Sequence, residues 1–271
     1  MNYTKHLLVP IICLLLLSCS KDNDENTDNN TPSTKTSLPV KATRKDANGT
    51  VIRTTTYSYD SQNRLKTLKV VDANASLNLT QTISYENGKI TSLMDYDDPA
   101  KPLEKRIYFY DGNGIKNEES YSDNILNFRY EWYYRPDGGK ERRVKYTSGA
   151  LLETYYYRFS ATGNIERMII DNASASQEDY EYNFSSYDNK SRTIANDFFN
   201  DVIPYILLGF PGTNLPAPNN PLALNLKIGN TIIKQTYEYT YNNKNQVTAI
   251  KTKNTDNGNL LSTHTIEYQE F

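Results

Sequence analysis

Thiols are almost missing from this chain: of 271 residues two are cysteines, Cys13 and Cys19, and both stand in the first twenty. Beyond them there is no sulfur for a disulfide framework, a thiolate metal site or a cysteine nucleophile. Histidine is as rare, with only His6 and His264, and the single histidine of the folded domain cannot form a histidine-based metal site alone. No Gly-x-Ser-x-Gly elbow exists, and Asp111-Gly112-Asn113-Gly114 lacks the strand-to-helix setting of a phosphate loop. Charge of one sign is lacking too. Thirty Lys and Arg, one of them Lys5 near the start, face 32 Asp and Glu, which gives no reason to expect a nucleic-acid partner. Neither a cofactor nor a metal is expected, and the reading is non-enzymatic.

Long apolar runs are confined to Leu7–Leu17, behind Lys5 and His6. That run is short for a membrane span and has the flanks of a signal peptide. The chain therefore divides into a leader (1–18), a polar, acidic tether (19–37) whose composition cannot repay its ordering, and a folded domain (38–271).

What is abundant is tyrosine, 23 residues of it, in a chain only 37% hydrophobic. The tyrosines keep time. Aromatic anchors stand at Tyr59, Tyr85, Tyr110, Tyr134, Phe159 and Phe184, 24 to 26 residues apart, and Tyr241 follows after a longer gap. A period of that size marks a repeat architecture. Before each anchor large apolar residues alternate with polar ones, as in Leu77, Leu79, Ile83 and Tyr85 interleaved with Asn78, Thr80, Thr82 and Ser84. Alternation of this kind predicts strands with one buried face. After each anchor come turn residues that accept positive φ: Asn63, Gly88, Gly114, Gly138, Gly163 and Asn245. An aliphatic then restarts the chain at Leu65, Ile90, Ile115, Ile165 or Val247, and another often follows three residues on, at Leu68, Leu93, Met168 or Ile250. The odd step breaks the period of 2 and predicts a β-bulge or a fully buried strand start.

The fold class expected is all-β: an up-and-down antiparallel meander of roughly 14–16 strands, closing into a porin-like barrel or a strongly curled sheet, because open sheets beyond about 10 strands seldom persist. One interruption, 197–222, carries Phe198, Phe199, Val202, Ile203, Ile206, Leu207 and Phe210 at helical spacing, followed by a proline-rich loop. It is expected to form a short helix that plugs the barrel.

Two resemblances follow. Leu16-Leu17-Ser18-Cys19 resembles the lipobox of bacterial lipoproteins, which implies acylation of Cys19, an outer-membrane lipid partner and, with Lys21-Asp22-Asn23-Asp24-Glu25, exposure at the cell surface. Tyr59-Asp60-Ser61-Gln62-Asn63-Arg64-Leu65 resembles the tyrosine–aspartate repeats of RHS-type toxin shells, and the whole arrangement is similar to a family of Bacteroidetes lipoproteins of unknown function with a porin-like barrel. The resemblance implies an architecture and no catalytic residues. The Asp is missing at Tyr134-Arg135-Pro136 and Phe159-Ser160.

A lipid-facing barrel wall needs an apolar band, and a mean hydropathy of −0.71 argues for a water-exposed, tethered monomer instead. Its expected work is binding or scaffolding, with a glycan, an envelope polymer or another envelope protein as partner. Tyr108, Trp132, Tyr133 and Tyr156 are the candidate contact aromatics. Rival readings are a hydrolase with an acidic site at one rim and a purely structural shell.

Overall fold

In the computed structural model the described residues are 36–74, 78–98, 101–112, 114–191 and 218–271. The leader, Cys19 with the tether to residue 35, and the insertion from 197 to 217 with Phe198 through Phe210 lie outside them. Asn219 to Leu222, read from sequence as part of the insertion, already belong to a strand.

Sixteen strands appear among the described residues. The first eight are β1 (Ser37–Asp46), β2 (Val51–Tyr59), β3 (Leu65–Asp72), β4 (Asn78–Glu86), β5 (Lys89–Asp98), β6 (Lys101–Asp111), β7 (Gly114–Ser122) and β8 (Ile125–Tyr134). The second eight are β9 (Lys140–Tyr146), β10 (Leu151–Phe159), β11 (Ile165–Asn172), β12 (Tyr180–Ser191), β13 (Asn219–Ile228), β14 (Thr231–Tyr241), β15 (Val247–Asn254) and β16 (Leu260–Glu270). Each pairs antiparallel with its sequence neighbours, and β1 pairs with β16 from Ser37↔Glu270 to Asp46↔Ser262. The sheet is a closed barrel, so no edge strand is left open to another chain.

The bulge expected from the odd step is present at five of the anchors. Register shifts fall where Tyr59 meets Leu65, Tyr85 meets Ile90, Tyr110 meets Ile115, Phe159 meets Ile165 and Tyr241 meets Val247. The extra residue lets two aliphatics three apart face the same way. Leu65, Leu68, Ile90, Leu93, Ile115, Ile165, Met168, Val247 and Ile250 are accordingly all buried in one cluster whose buried members come from every strand except β8 and β9.

The turns explain the tyrosine–aspartate motif. Asp60 Oδ1 accepts the backbone N–H of Gln62 and of Arg64, both at 2.9 Å, and Arg64 Nε donates to Asp60 Oδ2 at 2.7 Å. Although desolvation opposes it, these hydrogen bonds hold the Asp60 carboxyl below its ordinary pKa. Where Asp is missing another group does the same work: Ser160 Oγ accepts from Asn164 N, and Asp137 Oδ1 accepts from Gly139 N. One turn differs from expectation. Positive φ falls on Gly112 (58°), not on Gly114, which opens β7. Gly114 is small for another reason, since a Cβ there would lie 2.9 Å from the Tyr134 hydroxyl.

The anchors tie neighbouring hairpins together at this rim. Tyr59 Oη donates to the Pro39 carbonyl at 2.7 Å, Tyr85 to Leu65 at 2.7 Å, Tyr110 to Ile90 at 3.1 Å and Tyr134 to Ile115 at 3.1 Å. Tyr268 continues the series on Val247, and at the last predicted anchor the tie moves from Tyr241, which donates to Asp188, to Tyr239, which donates to the Pro221 carbonyl. The Phe184 position departs from the sequence reading. Phe184 is buried in the core, and Tyr187 makes the tie, to the Ile165 carbonyl, because two register shifts separate the two residues.

Candidate functional site

The repeat predicts its own exception. Three residues after the restart aliphatic stands Leu68, Leu93, Met168 or Ile250, but after Ile115 it is Glu118. One strand further on, the β8–β9 pairing has no bulge, so Tyr134 meets Lys140 directly and the inward position falls on Arg142. A carboxylate and a guanidinium thus occupy core positions of adjacent repeats. They answer each other: Arg142 Nη2 donates to Glu118 Oε2 at 3.0 Å, with the side chains 5% and 2% exposed. Trp132 Nε1 donates to the other oxygen, Oε1, at 2.6 Å. Both carboxylate oxygens are therefore engaged, as a buried charge requires.

Aromatic rings frame this pair on the inner wall of β6–β10. The Arg142 guanidinium lies 4.2 Å from the Tyr130 ring centroid, 5.4 Å from that of Tyr155 and 5.7 Å from that of Trp132. Arg106 approaches Tyr130 as well, at 5.6 Å. Such contacts strengthen where water is scarce. Trp132, Tyr157 and Tyr155 continue as a stack, with centroid spacings of 6.0 and 6.5 Å and interplanar angles of 17° and 13°. Tyr157 is buried, and Trp132 and Tyr155 are partly exposed.

A second ion pair adjoins the first. Arg106 Nε donates to Glu104 Oε1 at 2.6 Å, and Ser120 Oγ donates to the same oxygen at 2.8 Å. Burial pushes the Glu104 carboxyl up, but Arg106, Ser120 and the charge of Arg142 together hold it below its ordinary value. Burial raises the Tyr130 hydroxyl against the two arginines that oppose the shift, so Tyr130 stays a neutral phenol. The wall is amphipathic, with aromatic rings interleaved among ion pairs.

Of the four candidate aromatics, Tyr108 and Trp132 belong to this inner wall, Tyr108 being 4% exposed. Tyr133 and Tyr156 point the other way. On the outer wall both residues are Cα partners of Glu141, Tyr133 Oη donates to Glu131 Oε2 at 2.5 Å, and Arg143 lies 4.5 Å from the Tyr133 ring. The four therefore form two groups on opposite faces. Glu118, Arg142, Arg106 and Glu104 escaped the sequence reading, although charged residues in the inward register of two adjacent repeats were visible.

The outer wall carries ion pairs around the barrel, among them Lys41–Glu267, Arg129–Glu119, Lys145–Glu131, Arg167–Glu181 and Lys253–Glu238. Singly these are worth about 0–1 kcal/mol. Collectively they leave no continuous apolar band on the described strands.

No protein-family model and no curated protein matches the chain. Among solved structures, a porin-like protein from Bacteroides vulgatus aligns over 86% of this chain and 99% of its own at 14% identity and a TM-score of 0.41. The Tc holotoxin pore of Photorhabdus luminescens aligns over 77% of this chain and 9% of its own at 16% identity and a TM-score of 0.31. A porin-like protein from Bacteroides uniformis aligns over 86% of this chain and 96% of its own, at 17% identity and a TM-score of 0.51. In fold, then, this sixteen-stranded antiparallel barrel is similar to a porin-like protein of Bacteroides.

Proposed function

We propose that the chain is a lipid-anchored barrel of the cell envelope, held to the outer membrane through Cys19 and exposed at the cell surface, which binds a ligand without transforming it. The ligand class is a glycan or envelope polymer, and the barrel acts as a monomer. The observation that carries this reading is the Trp132–Tyr157–Tyr155 stack, whose partly exposed rings are held from behind by the buried Arg142–Glu118 pair. Stacked rings with polar edges suit the flat apolar faces and hydroxyls of sugars.

The carboxylates beside the stack weigh toward binding and away from a hydrolase. A general acid needs a raised pKa, and Glu104 is held low. The charged outer wall fits a barrel standing in water on a tether.

The test is a thermal-shift and fluorescence screen of the full chain in detergent against glycans and envelope polymers. Trp132 is the only tryptophan, so its emission reports this wall alone. A ligand at 100 times its Kd adds about 2.7 kcal/mol to folded-state stability. A dose-dependent rise in melting temperature with a Trp132 emission change, both weakened in Tyr155→Ala, is expected for one glycan class. A flat response across the panel removes the glycan reading and leaves another envelope protein as partner. Anchoring is tested separately, since Cys19→Ser should move the protein from the membrane to the soluble fraction.

A further inference from the structure

The other mouth of the barrel, away from the tyrosine ties, holds a different arrangement. A cleft of about 370 Å³ opens there, lined among others by Arg44, Thr50, Val51, Arg53, Asp72 and Asn74. Arg44 on β1 and Arg53 on β2 are direct Cα partners. Like charges in that relation repel each other and need compensation. Among the residues that line the cleft there is a single carboxylate. Asp72 is Arg53's partner on β3, and Arg53 grips it with both ends of its fork, Nε to Oδ1 at 2.5 Å and Nη2 to Oδ2 at 3.0 Å.

Arg44 is left as a half-buried guanidinium with no ion pair among the described residues, and its Nε, shielded from solvent, has no hydrogen-bond partner. Its other Cα partner, His264 on β16, is 0% exposed and supplies no negative charge. The next inward residue on that strand, Ser262, pairs with Thr252 on β15, and both hydroxyls are buried without a hydrogen-bond partner. Two cations and one anion thus line the cleft, while the nearby Asp46 carboxylate is taken up by the N–H groups of Asn48 and Thr50 and the two unused hydroxyls lie on the adjoining strands.

We propose that this mouth is an oxyanion site, in which Arg44, backed by Arg53, receives the carboxylate or phosphate group of a small solute. The incoming anion supplies the second negative charge that the two arginines need, and the fork of Arg44 accepts it as Arg53 accepts Asp72. Burial and the charge of Arg53 depress the Arg44 pKa, and the charge of Asp72 only partly offsets them. The site is independent of the aromatic wall and would survive the loss of the glycan reading.

The test is calorimetric titration of the full chain in detergent, at constant ionic strength, with inorganic phosphate, with glucuronate and with glucose as the neutral control. Saturable binding of phosphate, glucuronate or both is expected, with none for glucose. Phosphate alone assigns a phosphoryl group, glucuronate alone a carboxylate sugar, and both together a general oxyanion site. Arg44→Gln should weaken binding at least tenfold, and Arg129→Gln on the outer wall should leave it unchanged. A second readout separates binding from folding. In anion-free buffer Arg44→Gln should melt no lower than the parent chain, and phosphate or glucuronate should stabilise the parent alone; Arg44→Lys should behave between them. No saturable binding by the parent chain, or equal binding by Arg44→Gln, overturns the proposal.

Discussion

His264 and the Glu118–Arg142 pair are single residues whose energetics reach the whole domain. Desolvation, with the charges of Arg44 and Arg53, lowers the His264 pKa to about 3. The unfolded chain takes up that proton near 6.5, so as pH falls from about 6.5 towards 3 the unfolded state gains by up to about 1.4 kcal/mol per pH unit. Stability tied to His264 is therefore present above 6.5 and lost as the solution is acidified. Glu131 and Glu181, which Lys145 and Arg167 hold below the ordinary 4.5, withdraw their share only at lower pH. Melting temperature should fall between pH 7 and 5 in the parent chain, and His264→Asn should flatten that slope. The buried pair behaves differently. Arg142→Ala strands the Glu118 carboxylate and should cost about 3–5 kcal/mol, whereas Glu118→Leu with Arg142→Met should be near neutral. Urea unfolding of the three chains decides this.

The hairpin is the scale at which sequence and structure agree best. The three-residue step from Leu65 to Leu68 or Ile90 to Leu93 is a local signal, and the register shifts sit beside it. Tyr59-Asp60 with Arg64 is equally local, because the turn closes on its own side chains. The misread positions depend on a neighbour in space. Gly114 is glycine to clear Tyr134, a residue twenty positions on, and no spacing within its own turn reveals that. Gly114→Ala should therefore destabilise the β7–β8 wall by about 1–3 kcal/mol. Tyr134→Phe removes the nearest atom of the clash and should recover part of the loss, so a double-mutant cycle should return a favourable coupling. Additive effects would mean that the hydroxyl is not what excludes a side chain there. The move of the tie from Phe184 to Tyr187 has the same origin: it follows the irregular register of β12 against β13, which no count along the chain contains.

Closure belongs to the whole molecule. Thr36 and Phe271 exchange backbone hydrogen bonds at 3.2 and 3.0 Å, so the two ends of the described barrel meet at one rim. Termini this close tolerate being joined. A chain linking Phe271 to Thr36 and opened in the two-residue turn at Asp123–Asn124 should fold to the same barrel, with circular dichroism and elution volume unchanged. Removing residues 260–271 instead would expose β1 and β15 as edges and should give an aggregating chain. Should the permuted chain fail to fold while the truncated one stays monomeric, the β1–β16 seam would not be what holds the barrel.

The sequence by itself determined a meander of roughly 14–16 strands, the hairpin rims and most of the turn chemistry, because each depends on residues a few positions apart. Local alternation also marked which residues share a face. Only the tertiary structure decided that the sheet closes, and that Glu118 meets Arg142 across one repeat length. It likewise separated Tyr108 and Trp132 from Tyr133 and Tyr156, and left Arg44 beside an Arg53 that already holds Asp72. Those outcomes depend on register between strands far apart in the chain, where shifting the pairing by a single residue turns an inward side chain outward.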